Sequence, residues 1–206
     1  MTKRELVKNG VLSETASNKS LNDLTTEELG KLFPIIIQDY SEHWIDLYDA
    51  EKQIITNSFA QSEIVSIDHI GSTAVPGLKA KPTIDILFQV SEQIDTQKLV
   101  DIFTSLGYQL TEQPDNPQPH MTFVKGYAIH GFSGQTYHVH IRFKGDWDEI
   151  RFRDYLINNP NAANDYEVLK LKLAVKYKND REAYTNSKND FINKINKLTQ
   201  KQSTNS

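Results

Sequence analysis

Alternating apolar and polar residues mark two strands near the centre of the chain. Residues 64–70 are rich in β-branched side chains, and residues 84–90 form a second such run with a single carboxylate, Asp85. Gly71-Ser72-Thr73 follows the first run with small residues that can cap a helix. The pattern predicts a strand, a small-residue turn, a short connection and a second strand.

The run at residues 136–143 places chemically active side chains on one face of a later strand. Its apolar and polar residues alternate, so that His138, His140 and Arg142 share the polar face. On the earlier strand, Asp85 lies opposite an apolar face. If the two strands share a sheet, its polar face carries one carboxylate, two imidazoles and one guanidinium.

Most other predicted elements are helices. Thr25 and Glu28 fit a capping box, and that helix must end near Phe33 because Pro34 follows. Further helices are predicted at residues 42–59, 95–106, 148–158, 160–177 and 180–198, with short strands at 108–110 and 121–124. A glycine-containing connection, residues 126–134, is expected before the strand at 136–143. The prediction is an α/β (α+β) fold, a small mixed sheet backed by helices, with a helical C-terminal extension.

Length and composition fit one domain with a packed core. The 206 residues include 38% hydrophobic and 10% aromatic residues. We predict a flexible arm at residues 1–23, a single domain at residues 24–199 and a polar tail at residues 200–206. No internal repeat and no linker divides this domain.

Charge and residue content exclude several classes of protein. A formal net charge of −4 gives no general attraction to nucleic acid or to an anionic membrane, so nucleic acid is not an expected partner. The absence of cysteine excludes disulfides and thiolate metal sites. No apolar run is long enough to cross a bilayer, and the N-terminus lacks an apolar signal core. A cytoplasmic protein without a membrane partner is therefore expected.

The polar face and the turn carry the residue types of a site for metal and phosphate. One carboxylate and two neutral imidazoles can bind a divalent transition metal and leave coordination positions open. The turn's backbone N–H groups and the Ser72 hydroxyl can hold an anion. Lys81 and Arg142 can neutralise phosphate oxygens. The alternative interpretation places both histidines on a solvated strand face with ordinary hydrogen bonds.

One long stretch of the chain resembles the signature of the GrpB-like family (UPF0157). The segments that carry this resemblance are His69-Ile70-Gly71-Ser72-Thr73-Ala74-Val75-Pro76-Gly77-Leu78, Ala80-Lys81-Pro82, Ile84-Asp85-Ile86, Tyr137-His138-Val139-His140 and Phe152-Arg153-Asp154-Tyr155-Leu156. The resemblance extends over about residues 33–199. The family is similar to the nucleotidyltransferase superfamily, which has the fold of DNA polymerase beta, and the resemblance therefore implies a nucleotidyltransferase-like sheet.

Nucleotidyltransferases carry Gly-Ser at a turn, two carboxylates two residues apart on the next strand and a third on a later strand. Together these carboxylates bind two magnesium ions. Gly71-Ser72 and Asp85 match this arrangement, but Leu87 or Thr83 stands where a second carboxylate belongs. The later strand offers two histidines in place of an acid, so the superfamily's ligand set is incomplete in this chain.

The predicted function is a nucleotidyltransferase-like protein that acts on or binds a nucleotide or phosphorylated small molecule with a divalent metal. Magnesium or manganese is the expected metal, with zinc or iron as alternatives. The expected catalytic and metal-binding residues are Asp85, His138 and His140. The expected substrate-binding residues are His69, Gly71, Ser72, Lys81 and Arg142. No oligomeric state is predicted.

Two other functions fit the same residues. One is a non-catalytic nucleotide-binding module on a decayed transferase site. GrpB-like domains also occur attached to dephospho-coenzyme A kinases, which fits such an accessory role. The other is a metal-dependent phosphohydrolase that uses one aspartate and two histidines.

Overall fold

The computed structural model describes residues 21–111 and 119–203, whose strands form one mixed sheet. The strands are β1 (Ile64–Ile70), β2 (Thr83–Val90), β3 (Gln109–Thr111), β4 (Met121–Ala128) and β5 (Gly131–Phe143). Their order across the sheet is β1-β2-β5-β4-β3; β2 and β5 run parallel, and all other neighbours are antiparallel. The predicted α/β fold with a small mixed sheet is confirmed.

Helices precede, follow and separate these strands. The α-helices of the described residues are α1 (Thr26–Leu32), α2 (His43–Ser58), α3 (Thr96–Ser105), α4 (Asp148–Asn158), α5 (Pro160–Lys176), α6 (Arg181–Asn186) and α7 (Asn189–Ser203). The capping box of α1 is confirmed, because the Glu28 N–H donates to Thr25 Oγ1 and the Thr25 N–H donates to Glu28 Oε2. None of the helices in the described part of the chain is long and apolar enough to span a membrane.

Two predicted boundaries are wrong. The connection expected over residues 126–134 is mostly strand, since β4 and β5 extend to Ala128 and from Gly131 as a long hairpin. Its pairing shifts between Lys125 and Tyr127, which interrupts the alternation that reveals a strand in the sequence. The helix expected over residues 180–198 is divided into α6 and α7. The arm predicted at residues 1–23 lies almost entirely outside the described residues.

The apolar face of the sheet packs on α2 and α3. The strand side chains of this core are Ile84, Ile86, Phe88, Val90, Tyr137, Val139 and Ile141. Trp44 and Ile55 of α2 and Leu99 and Phe103 of α3 are buried against them. The predicted division of β2 and β5 into an apolar and a polar face is therefore confirmed, and Trp44 is a core residue.

The C-terminal helices pack on the segment that follows the Gly-Ser turn. Val75 and Leu78 of that segment are buried with Leu156 of α4 and Tyr166 of α5. A second small cluster joins Ile35 to residues of α5 and α6. This packing brings α5, α6 and the residues between α6 and α7 towards the polar face of β2.

Candidate functional site

Asp85, His138 and His140 meet on the polar face of two neighbouring parallel strands. Asp85 of β2 pairs with His138 of β5, and His140 lies two residues further along the same face. Asp85 Oδ1 is 3.1 Å from His138 Nδ1 and 4.0 Å from His140 Nε2. One ligand atom from each residue lies within 4.8 Å of the others. Their side chains are 27%, 20% and 25% exposed, so that solvent reaches this triad.

A hydroxyl group contacts each histidine at the ring nitrogen that faces away from Asp85. His138 Nε2 lies 2.8 Å from the Tyr127 hydroxyl. His140 Nδ1 lies 3.4 Å from Thr122 Oγ1, at the long end of hydrogen-bonding distance. A neutral imidazole protonated at its inner nitrogen donates a hydrogen bond to Asp85, whereas one protonated at its outer nitrogen donates to the hydroxyl oxygen and leaves the inner lone pair free for a metal ion. Histidines that bind metals are commonly oriented by such an outer partner.

The ionisation of Asp85 and His138 suits a metal ligand set. Burial raises the pKa of the Asp85 carboxyl, but hydrogen bonds and charge from His138 and His140 outweigh burial and hold that pKa below its usual range. Burial is also the main reason why the pKa of His138 is lowered. At neutral pH the triad therefore contains a carboxylate and a neutral imidazole, the protonation states that a metal ion requires.

The Gly-Ser turn closes directly over Asp85. Gly71 has φ 71° and ψ −168°, and a Cβ atom there would lie 2.5 Å from Asp85 Oδ2. Ser72–Ala74 is a single 3-10 turn, and the predicted order of a strand, a small-residue turn, a short connection and a second strand is confirmed. Burial raises the pKa of Tyr166, and a side-chain hydrogen bond with Ser72 lowers it in part. The turn thus joins β1 to the C-terminal helices beside Asp85.

His69 does not join the triad. It pairs with Ile86, and its side chain therefore lies on the helix-backed face, opposite to Asp85. Its ring stacks on Tyr48 at 4.7 Å, and its Nε2 lies 3.0 Å from Thr73 Oγ1. Burial lowers the pKa of His69 to about 4, so its imidazole is neutral at physiological pH. These contacts fit a structural role for His69.

Arg142 lies on the polar face of β5, but its contacts hold it at the end of the strand that is farther from Asp85. Its guanidinium lies 5.7 Å from the centre of the Trp147 ring, and Nη2 is 3.6 Å from Glu149 Oε1. Nη1 donates to the backbone oxygen of Ile141 at 2.8 Å. The side chain is buried, and its side-chain partners, Trp147 and Glu149, belong to the loop before α4 and to the start of α4. The structure therefore does not bring Arg142 to the triad.

Three basic residues lie near the triad, namely Lys81 before β2, Arg181 of α6 and Lys188 between α6 and α7. Of these, only Lys81 was predicted as a site residue from the sequence. Lys81 Nζ and Lys188 Nζ lie 5.5 and 4.5 Å from the centre of the Tyr184 ring. Burial, followed by the charges of Arg181 and Lys188, lowers the pKa of Lys81 to about 7. Arg181, Tyr184 and Lys188 have the i, i+3, i+7 spacing of one helix face, and this was the available sequence signal.

A pocket of about 230 Å³ opens beside the triad. Thr83 and Thr136 line it, each two residues before a member of the triad on the same strand face. Their hydroxyl oxygens are 2.9 Å apart. Lys81 and Arg181 line the pocket as well. The pocket thus shares Lys81 and Arg181 with the group of basic residues, and Thr83 and Thr136 separate it from the triad.

A model of the GrpB protein family matches residues 34–198 of this chain. The chain belongs to the GrpB family. A UPF0157 protein of Pseudomonas aeruginosa is 42% identical over 153 residues, which cover 74% of this chain and 62% of that protein. The glutamate-rich protein GrpB of Alkalihalophilus pseudofirmus is 35% identical over 167 residues, 78% of this chain and 93% of that protein.

A solved structure shares the fold of this GrpB-family chain. The crystal structure of the conserved protein GrpB from Enterococcus faecalis superposes with a TM-score of 0.68 at 30% identity, covering 82% of this chain and 99% of the other. A dephospho-CoA kinase of Mycolicibacterium paratuberculosis is 27% identical over 190 residues, 79% of this chain and 45% of the kinase. The chain thus spans less than two thirds of the Pseudomonas protein and less than half of the kinase.

Proposed function

We propose that this GrpB-family protein binds one divalent metal ion at Asp85, His138 and His140 and acts on a phosphorylated small molecule beside it. The observation that carries the proposal is the meeting of three donor atoms within 4.8 Å of one another. The outer hydroxyl contacts of both histidines support it. Manganese, zinc or iron fits one carboxylate and two imidazoles better than magnesium, which prefers oxygen ligands.

Hydrolysis of a phosphoester is the reaction that this donor set supports best. A metal bound at the triad would supply Lewis-acid polarisation of a phosphoryl oxygen or of water. The chain's own residues hold the imidazoles in place, present the Asp85 carboxylate and supply positive charge through Lys81. In the overall reaction water adds to phosphorus, and the ester oxygen leaves with a proton as the alcohol.

This chain has no carboxylate on β2 at the positions where nucleotidyltransferases carry a second one, which argues against a second metal ion. Thr83 Oγ1 lies 2.9 Å from Thr136 Oγ1, and Leu87 is fully buried, so neither residue offers a charged oxygen. The acidic residues before and at the start of α4, Asp146 and Asp148, pair with the same arginine. We therefore place nucleotidyl transfer second. The Gly-Ser turn over Asp85 and the similarity to a dephospho-CoA kinase support it.

Metal titration of the parent protein tests the proposal. We expect one Mn²⁺ or Zn²⁺ per chain by calorimetry, and an affinity loss of roughly 100-fold or more in Asp85→Asn and His140→Ala, since each removes a ligand. Asp101→Asn, an exposed carboxylate of α3 behind the sheet, is the matched control and should bind metal like the parent. Equal affinity in all four proteins, or no binding by the parent, contradicts the site.

Product analysis of the metal-loaded protein distinguishes the candidate functions. Phosphate release from phosphomonoesters or nucleotides supports hydrolysis, whereas pyrophosphate release from nucleoside triphosphates supports nucleotidyl transfer. Nucleotide binding without either product supports the non-catalytic module. Asp85→Asn provides the background rate for both assays.

Removing the Tyr127 hydroxyl is expected to weaken metal binding about tenfold, because the outer nitrogen of His138 loses its partner. Tyr127→Phe keeps the ring that stacks on His138. Thr122→Val, whose hydroxyl contact with His140 is longer, should have the smaller effect. Competition of both variants with a fluorescent zinc chelator measures the difference. An unchanged affinity in Tyr127→Phe would show that this contact does not orient a metal ligand.

A further inference from the structure

We infer that Lys81, Arg181 and Lys188 form an anion-binding site for the phosphoryl group of the substrate, and that the adjoining pocket receives its organic part. This inference rests on the proposed function and specifies its substrate class. The substrate would be a small phosphomonoester whose organic group is compact and largely apolar.

The three basic residues come together from separate parts of the chain, and Asp85 is the carboxylate whose charge acts on two of them. Lys81 precedes β2, whereas Arg181 begins α6 and Lys188 follows it. The two ammonium groups lie over the Tyr184 ring, and the Arg181 guanidinium lies 5.6 Å from the centre of the Tyr127 ring. Within residues 21–111 and 119–203, no carboxylate forms a salt bridge with any of the three. Three basic side chains outnumber the single carboxylate of Asp85, and such an excess of positive charge attracts an anion.

This anion site adjoins the metal triad. Arg181 Nη2 donates to the Tyr127 hydroxyl at 3.3 Å, and that hydroxyl lies 2.8 Å from His138 Nε2. Burial lowers the pKa of Lys81 and of Lys188, and the negative charge of Asp85 opposes this effect at both residues. A phosphoryl group at this position would have the triad on one side and three basic residues on the other, and its negative charge would favour the protonated form of Lys81, whose pKa is about 7. Charge-assisted hydrogen bonds from such cations are among the strongest that phosphate oxygens accept.

The pocket extends from these cations towards an apolar wall. It shares Lys81 and Arg181 with the anion site. Its apolar wall includes Pro34, Ile36 and Phe132, and the last two are 47% and 44% exposed. An apolar group bound here would cover side chains that are otherwise in contact with water. The combination of cations and apolar wall matches a phosphate ester with a compact apolar group, not free phosphate alone.

Anion binding by the metal-free protein tests the inference separately from the metal proposal. In the presence of EDTA, we expect phenyl phosphate to bind to the parent, and inorganic phosphate to bind more weakly. Lys188→Gln should lower the affinities for phenyl phosphate and for inorganic phosphate by roughly tenfold each, the range for one charged hydrogen bond. Lys197→Gln removes an exposed lysine of α7 and should leave both affinities within about twofold. Equal losses in the two variants would indicate general charge attraction and overturn the site.

A pocket variant tests the apolar wall. Phe132→Ser should lower the affinity for phenyl phosphate severalfold and leave the affinity for inorganic phosphate unchanged, because only the ester carries an apolar group. Equal effects on both anions, or none on either, overturn the assigned orientation. A parent that binds metal but neither anion refutes this inference and leaves the proposed metal site standing. A parent that binds phenyl phosphate but no metal refutes the metal site and leaves the anion site standing.

Discussion

Glu51→Gln is expected to lower the free energy of unfolding by about 3 kcal/mol, because it removes the counter-charge of a partly buried lysine. Glu51 Oε1 accepts hydrogen bonds from Lys125 Nζ at 2.6 Å and from the Tyr108 hydroxyl at 2.8 Å. The Glu51 side chain is 4% exposed and that of Lys125 is 27% exposed. We place the effect at the lower end of the range for broken buried pairs, since the lysine retains some contact with water.

Urea unfolding of single and double variants measures this effect. Glu51→Gln combined with Lys125→Met should recover most of the lost stability, because no charge is then left without a partner. Lys98→Gln breaks the more exposed pair with Glu63 and should cost less than about 1 kcal/mol. If the double variant is as unstable as Glu51→Gln alone, the loss arises from packing and not from the unpaired lysine.

This ion pair also shows what Lys125 does in the fold. Lys125 pairs with Tyr137, so its side chain lies on the helix-backed face of the sheet. Its ammonium group is 4.8 and 5.1 Å from the centres of the Tyr108 and Tyr137 rings. The Lys125 ammonium group therefore stabilises the helix-backed face of the sheet and does not contribute to the site around the triad. The positive charge near Asp85 comes instead from Lys81 and the C-terminal helices.

Strand alternation alone was sufficient to predict the polar face, whereas it could not predict the register. The period of two in β2 and β5 places Asp85, His138 and His140 on polar faces wherever the strands lie. Their meeting depends on the parallel pairing of Asp85 with His138, which joins residues 53 positions apart. No local propensity encodes such a pairing, because it results from the packing of the whole sheet.

His69 illustrates how strongly the face of a residue depends on that pairing. It lies directly before the Gly-Ser turn, and this position in the sequence predicts a substrate-binding residue. In the antiparallel pairing of β1 and β2, Ile70 lies opposite Asp85, and His69 is therefore on the other face. A shift by one residue exchanges the two faces of a strand.

The basic residues were hard to predict for a different reason. Arg181 and Lys188 lie in a region where helices carry many exposed charges, and their sequence pattern resembles a solvated surface. They lie near the triad only because α5 and α6 pack on Ile35 and because α4 and α5 pack on the segment after the Gly-Ser turn. The candidate site thus combines local motifs, which the sequence displays, with tertiary packing, which it does not display.

Gly71→Ala is expected to have the largest effect of all, a loss of about 4 kcal/mol in the free energy of unfolding. Two costs combine at this position. Its φ of 71° with ψ of −168° is a conformation that is essentially restricted to glycine. The added Cβ would also lie 2.5 Å from Oδ2, 3.0 Å from Cβ and 3.1 Å from Cγ of Asp85. Because three atoms are crowded, a rotation of the carboxylate does not relieve the contact.

Gly77→Ala is the matched control, since Gly77 has a similar φ of 78° but no atom within 4 Å of an added Cβ. Gly77→Ala should lower the free energy of unfolding by about 1 to 2 kcal/mol, the cost of a positive φ for a residue with a Cβ atom. Chemical denaturation of Gly71→Ala, Gly77→Ala and the double variant Gly71→Ala/Asp85→Ala separates the two costs. The double variant should regain the part of the steric cost that comes from Oδ2 and Cγ, whereas the contact with the Cβ atom of residue 85 remains. Equal losses at Gly71 and Gly77 would mean that the turn does not press on Asp85, and the carboxylate would then be positioned by the two histidines alone.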